Sequence, residues 1–284
     1  MMSEIIQTQD GIRLSYTQTG PSNGPKVLFL PGWRQTAAQW YKQVEHFQSN
    51  FRVTTVDYRG HGESEKSESA PGYTIQQFSS DLNDVLHALD LKSVTLVGHS
   101  MGSGVIFALW NYFPESRGRV NGIVMADGSA RMLIDPTWTE EQAKQFGGVF
   151  TQELVDNYFA NFDVMFPSFF KAMFSDKISK EDLAWATAQN EKCPKEIAIK
   201  ILGDHTVQDW RSILPSIGVP ALIICGALAA ESGAWLQEQL PNSETAVFGR
   251  DEGLPPSSHF MFFENTREFN SLVERFIQEK IRQA

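Results

Sequence analysis

Short apolar runs alternate with helical periodicity along most of this chain, and that alternation constrains its fold more than any other feature. Residues 27–30, 52–57, 93–97, 122–126, 221–225 and 245–248 read as strands. Most are rich in Val, Ile and Leu, the composition of parallel strands buried on both faces. Between them lie helical patterns. One runs from about 74 to 91, with Ile75, Phe78, Leu82, Val85, Leu86 and Leu89 at spacings of three and four. A second runs from Ser100 to about 112, and the last from 267 to 281. Such an order predicts an α/β fold built on a doubly wound, mostly parallel sheet with helices on both faces. Ile5-Ile6 and Leu14-Ser15-Tyr16 flank Asp10-Gly11, which predicts an antiparallel hairpin at the sheet edge.

One segment breaks the alternation. Residues 131–204 contain no convincing strand but are dense in aromatic side chains, from Trp138 and Phe146 to Phe174 and Trp185, with Met132, Met165 and Met173 among them. They read as several short helices inserted between two strands. Most of this apolar surface packs the insert onto the sheet, and part lines a substrate pocket. The expected division is a core of residues 1–130 and 205–284 and a helical cap of residues 131–204. A length of 284 residues suits one domain with such an insert.

Composition narrows the partners. The chain is 42% hydrophobic and carries a net charge of -10. Nucleic acid and anionic membrane are therefore not expected as partners, since both call for clustered Lys and Arg. The N-terminus has neither a basic nor an apolar leader region, and no apolar run reaches membrane-spanning length. Of the two cysteines, Cys225 reads as part of a buried strand and Cys193 lies in a polar stretch. A reducing compartment fits this pattern better than a disulfide does, so a cytoplasmic protein is expected.

Gly98-His99-Ser100-Met101-Gly102 is the strongest chemical signal. It is a G-x-S-x-G turn following one predicted strand and opening a helix. The glycines are needed where neighbouring backbone crowds the turn, and the helix N-terminus aims N–H groups at a developing oxyanion. A serine needs a base held against it. Six histidines are available. His46 and His87 read as surface or packing residues, His99 cannot reach the reacting face of the serine, and His61 belongs to the turn Asp57-Tyr58-Arg59-Gly60-His61-Gly62. His259 alone combines a loop position, before the final helix, with a place beyond the nucleophile in the chain.

Four segments together, Pro31-Gly32-Trp33, Asp57 to Ser64, Gly98 to Gly102, and His259-Phe260, resemble the α/β-hydrolase superfamily in order and spacing. The resemblance covers nearly the whole chain. It implies an α/β-hydrolase fold with an eight-stranded sheet, and an oxyanion hole formed by the backbone N–H groups of Met101 and Trp33. Pro31-Gly32 stands where the family usually has His-Gly, a change that keeps the backbone donor. Arg34 reads as a surface arginine, with an approach to the site as its alternative. Haloalkane dehalogenases and epoxide hydrolases of this fold use an aspartate nucleophile, which Ser100 does not provide.

The acid departs from the usual pattern. After strand 221–225 the family carries G-x-x-D, whereas this chain has Gly226-Ala227-Leu228-Ala229 and then Ala230-Glu231. We take Asp127, directly after strand 122–126, as the acid, with Glu231 as the alternative. A subfamily of cofactor-free dioxygenases that open 3-hydroxy-4-oxoquinoline rings is similar in its Pro-Gly-Trp turn, in an acid after the sixth strand and in a late His-Phe pair. Met101 stands where those enzymes tend to have histidine. The expected function is hydrolysis of an ester, lactone or related acyl bond of an apolar or aromatic small molecule. The alternatives are the dioxygenase chemistry and a receptor-like binding protein of the same fold. No metal cluster, dinucleotide fingerprint or P-loop is present, so no cofactor is expected.

Overall fold

In a computed structural model that describes residues 3–67 and 72–281, the predicted strands assemble into an eight-stranded sheet. Strands β1 (Glu4–Gln7) and β2 (Arg13–Thr19) form the antiparallel hairpin. They are followed by β3 (Lys26–Leu30), β4 (Arg52–Val56), β5 (Val94–His99), β6 (Val120–Ala126), β7 (Ala221–Gly226) and β8 (Ser243–Phe248). The spatial order is β1-β2-β4-β3-β5-β6-β7-β8, with every pairing from β4 to β8 parallel. All residues of β5 and β7 are buried, as continuous apolar runs require when helices cover both faces. The chain moves outward from β3 to β4, then crosses back to β5 on the other side. That reversal opens a crevice at the C-terminal ends of β3 and β5, where this architecture places ligands.

Eleven α-helices accompany the sheet among the described residues. They are α1 (Tyr41–Phe47), α2 (Ile75–Ala88), α3 (Met101–Tyr112), α4 (Glu140–Phe146), α5 (Gln152–Ala160), α6 (Phe162–Ala172), α7 (Lys180–Asn190), α8 (Lys195–Val207), α9 (Ala230–Gln239), α10 (Met261–Glu264) and α11 (Thr266–Phe276). α2 starts where the Thr74 hydroxyl accepts the Gln77 N–H, and its apolar stripe packs on α3. The final predicted helix is shorter than expected, since regular helix stops at Phe276 and a π-turn spans Ile277–Ile281.

Helices α4 to α8 fill the chain between β6 and β7. Thr139, Thr151 and Ser179 cap three of them, which explains why this segment forms several short helices. Isolated bridges join Arg131 to Asp209 and Leu133 to Phe150 at the base of the segment. α8 continues past the expected edge at 204, because its buried face runs on through His205 and Thr206. Phe162, Phe166, Phe170 and Phe174 recur every fourth residue and contact one another in series, with ring centroids 5.2–5.6 Å apart. Phe174 then stacks on Phe260 at 4.2 Å, beside His259.

Both thiols are buried and unbridged. Cys193, read as part of a polar stretch, is wholly enclosed, and burial pushes both thiols up to about 12. Among the described residues no helix is long and apolar enough to cross a membrane.

Candidate active site

Ser100 follows β5 directly and caps α3 with φ 52° and ψ −116°, a backbone that L-residues rarely adopt. The two flanking glycines make this turn possible. A Cβ on Gly98 would lie 2.6 Å from the Gly102 carbonyl carbon, and one on Gly102 would lie 2.6 Å from the Leu30 carbonyl oxygen. The turn is anchored by the Ser100 N–H, which donates to Ala126 O at 2.9 Å.

Asp127, at the end of β6, also has a positive φ of 51°. One carboxylate oxygen lies 2.6 Å from His259 Nδ1, and the other accepts the Gly226 N–H at 3.4 Å. Glu231 is exposed in the first turn of α9, where the helix dipole favours an acid. The structure thus brings Asp127 to His259 and leaves Glu231 apart. Ser100 and His259 line one cavity, and among the described residues no hydrogen bond joins them.

The loop after β3 forms the facing wall. The Gln35 N–H donates to Gly32 O at 3.1 Å, closing a turn in which Arg34 has φ 58°. Trp33 is buried, and its indole donates to Ala198 O at 2.8 Å. Among the described residues the backbone N–H groups of Trp33 and Met101 donate to no protein acceptor. Asp57 braces this loop by accepting N–H groups from Ala37 and Glu63 at 2.7 and 2.9 Å. Arg34 corrects the sequence reading, for it is only 7% exposed. It lies over the Phe166 ring at 4.3 Å and donates to Cys193 O, so α6 covers it, and burial lowers its pKa.

The cavity measures about 40 Å³. Its walls are largely Met132, Phe150, Phe166, Phe169, Phe170, Met173 and Leu202, with Gln35, Ser100, Asn190, His205 and His259 as the polar members. One of these residues, and a second histidine behind the cavity wall, escaped the sequence reading. His205, on α8, is buried, and burial pushes it down to about 4. His99, directly before the serine, is also buried and held well below its ordinary value, first by burial and then by His259. A neutral His99 donates from Nε2 to the His259 carbonyl at 2.8 Å, while its other nitrogen faces the Gln35 side chain at 3.0 Å. It therefore ties the serine turn to the histidine loop. His61 is buried against Arg59 O, whereas His46 and His87 pair with Glu274 and Ser116 away from the cavity.

Known proteins share this arrangement of strands and turns. The 3-oxoadipate enol-lactonase 1 of Acinetobacter baylyi is 28% identical, over 98% of this chain and 99% of its own. Two solved structures superpose on nearly the whole chain. An esterase from Exiguobacterium antarcticum is 24% identical with a TM-score of 0.85, covering 98% of this chain and 100% of that one. A bromoperoxidase from Bacillus anthracis, with the same identity and coverages, has a TM-score of 0.84. At such identity the structural likeness is one of fold. The family model for the alpha/beta hydrolase fold matches residues 25–266, from the start of β3 into α11. Sheet order, elbow and sequence match agree, and the chain belongs to the α/β-hydrolase family.

Proposed function

We propose that this protein is a serine hydrolase that cleaves an ester, lactone or related acyl bond of an apolar or aromatic small molecule. The observation that carries this reading is the 2.6 Å contact between His259 Nδ1 and Asp127 Oδ2, beside a serine on a strained turn in the same cavity. With Nδ1 engaged by the carboxylate, Nε2 is the nitrogen available as base. Ser100 Oγ bonds to the substrate carbonyl carbon while its proton passes to Nε2, and Asp127 stabilises the imidazolium. The carbonyl oxygen becomes an oxyanion between the Trp33 and Met101 N–H groups, each such donor lowering the barrier by about 3–4 kcal/mol. Collapse breaks the bond to the leaving oxygen, which takes the proton from Nε2. Water then gives a proton to Nε2 and attacks the acyl-enzyme, releasing the acid and restoring Ser100.

Helices α4 to α8 act as a cap in this reading, since they supply most of the apolar wall. A cavity of about 40 Å³ is far below the volume of a drug-sized ligand, so the cap side chains must move to admit substrate. The enol-lactonase and esterase activities of the relatives add support. Two buried, unbridged thiols suit the reducing cytoplasm, the compartment we assign.

A second reading is the cofactor-free dioxygenase, in which the His259/Asp127 pair deprotonates the substrate and the carbanion reacts with oxygen. The observation that favours it is the pairing of His259 with an acid at the end of β6, the arrangement that the resemblance implies for those dioxygenases. A serine-directed organophosphonate distinguishes the two. The hydrolase reading expects the label on the peptide containing Ser100 and loss of ester turnover in Ser100→Ala. Oxygen-dependent opening of a 3-hydroxy-4-oxoquinoline ring that persists in Ser100→Ala supports the dioxygenase.

A further inference from the structure

The acyl-transfer steps leave the buried His205 unused. The His205 ring turns its Cε1–Nδ1 edge toward Gly104 on α3, where a Cβ would meet those atoms at 3.2 and 3.5 Å. The Trp210 indole nitrogen reaches the same point, 3.7 Å from that Cβ position. Both Trp210 Nε1 and His205 Nδ1 are enclosed without a hydrogen-bond partner. An indole N–H can only donate. A proton on Nδ1 would add a second enclosed donor without an acceptor, whereas a proton on Nε2 leaves only a bare lone pair enclosed, the less costly orphan. Burial keeps the ring neutral, with a single proton to allocate. That proton then resides on Nε2, which bonds to nothing among the described residues, in a side chain that lines the cavity.

We infer that His205 presents its Nε2–H to the cavity as a hydrogen-bond donor and selects substrates carrying a second, neutral acceptor oxygen, of ketone or ether type, remote from the bond that is cleaved. This inference rests on the hydrolase reading. Gly104 lies four residues beyond Ser100, about 6 Å along α3, so the acceptor lies several bonds from the reacting carbonyl. Met132 and Leu202 share that lining and offer such an oxygen no partner. Asn190 and Gln35 accept through their side-chain oxygens, from Gln39 Nε2 and the Gly32 N–H. His205 thus supplies a donor for a second oxygen on the α3 side of the cavity.

The test compares 4-nitrophenyl pentanoate with 4-nitrophenyl 4-oxopentanoate, and an alcohol-side pair, pentyl and 4-oxopentyl butanoate. At least one oxo ester is expected to be preferred in kcat/KM by about tenfold, the effect of one well-placed neutral hydrogen bond. His205→Phe should erase that preference, and His205→Gln, which keeps a donor, should restore part of it. A long-range proton–nitrogen NMR spectrum of the 15N-labelled protein should show the His205 proton on Nε2. Turnover without any oxo preference, a preference that survives in His205→Phe, or a proton on Nδ1 overturns the inference and leaves the hydrolase reading standing. No turnover of any ester, with Ser100 unlabelled by organophosphonate, overturns both.

Discussion

Asp127 Oδ2 lies 2.6 Å from His259 Nδ1, although 132 positions separate the two residues in the chain. In the proposed hydrolase the contact fixes the ring so that its other nitrogen is left for the serine. Asp127→Asn should keep the fold yet reduce ester turnover by about 10⁴, because an amide neither stabilises the imidazolium nor selects the tautomer. Glu231→Gln, an exposed change in the first turn of α9, should leave turnover within about twofold. Steady-state rates of the two purified variants decide the matter, and a crippled Glu231→Gln would reverse the assignment.

His99 should behave as a positioning residue. His99→Phe keeps a ring against His259, at present 4.4 Å away, but removes the donor to its carbonyl. We expect kcat to fall by about tenfold with KM little changed, and stability to fall by about 1 kcal/mol. Urea titration alongside initial rates separates the two effects. A variant that lost stability but no kcat would make the contact purely structural.

The elbow glycines predict a stability effect. A Cβ on Gly102 would press on the Leu30 carbonyl at 2.6 Å, and that atom is backbone of β3. Gly102→Ala should therefore cost about 1–3 kcal/mol through strain where β3 and α3 meet. Its thermal midpoint should drop by several degrees, whereas Gly118→Ala, at a site open to solvent, should not move it comparably.

Burial holds His205 at about 4 against an ordinary 6.5. The unfolded chain therefore binds a proton below 6.5 that the folded chain refuses. The neutral ring's contribution to stability is complete above that value and is lost as pH falls toward 4. Between about pH 6 and 5 the wild type should lose about 1 kcal/mol more than His205→Phe. Urea unfolding at the two pH values measures the difference, and parallel curves would show that the ring is not held neutral by burial.

What could be read in advance follows how local the determining physics is. The turn from β5 into α3 is legible because glycine spacing and strand-to-helix order lie within a dozen residues. The parallel strands are legible because burial on both faces leaves an apolar run. The series from Phe162 to Phe174 announces an apolar face, although its partner Phe260 lies far along the chain. Arg34 misleads because arginine usually faces water, whereas here a rigid turn holds it under Phe166. His205 carries no signal in its own helix. Whether a helical histidine meets solvent or a cavity depends on the surface opposite, here the bare backbone at Gly104.

The position of Asp127 has an evolutionary corollary. With the carboxylate at the end of β6, among the described residues nothing beyond Gly226 in the following turn is bound to the Asp127–His259 pair, and Gly226 contributes only its N–H. Leu228 in that turn is fully exposed, and Glu231 just after it faces solvent. Mutation can drift there, and short insertions can accumulate, without retuning the chemistry. The stretch is where a lineage carrying this sheet is freest to build a new recognition surface.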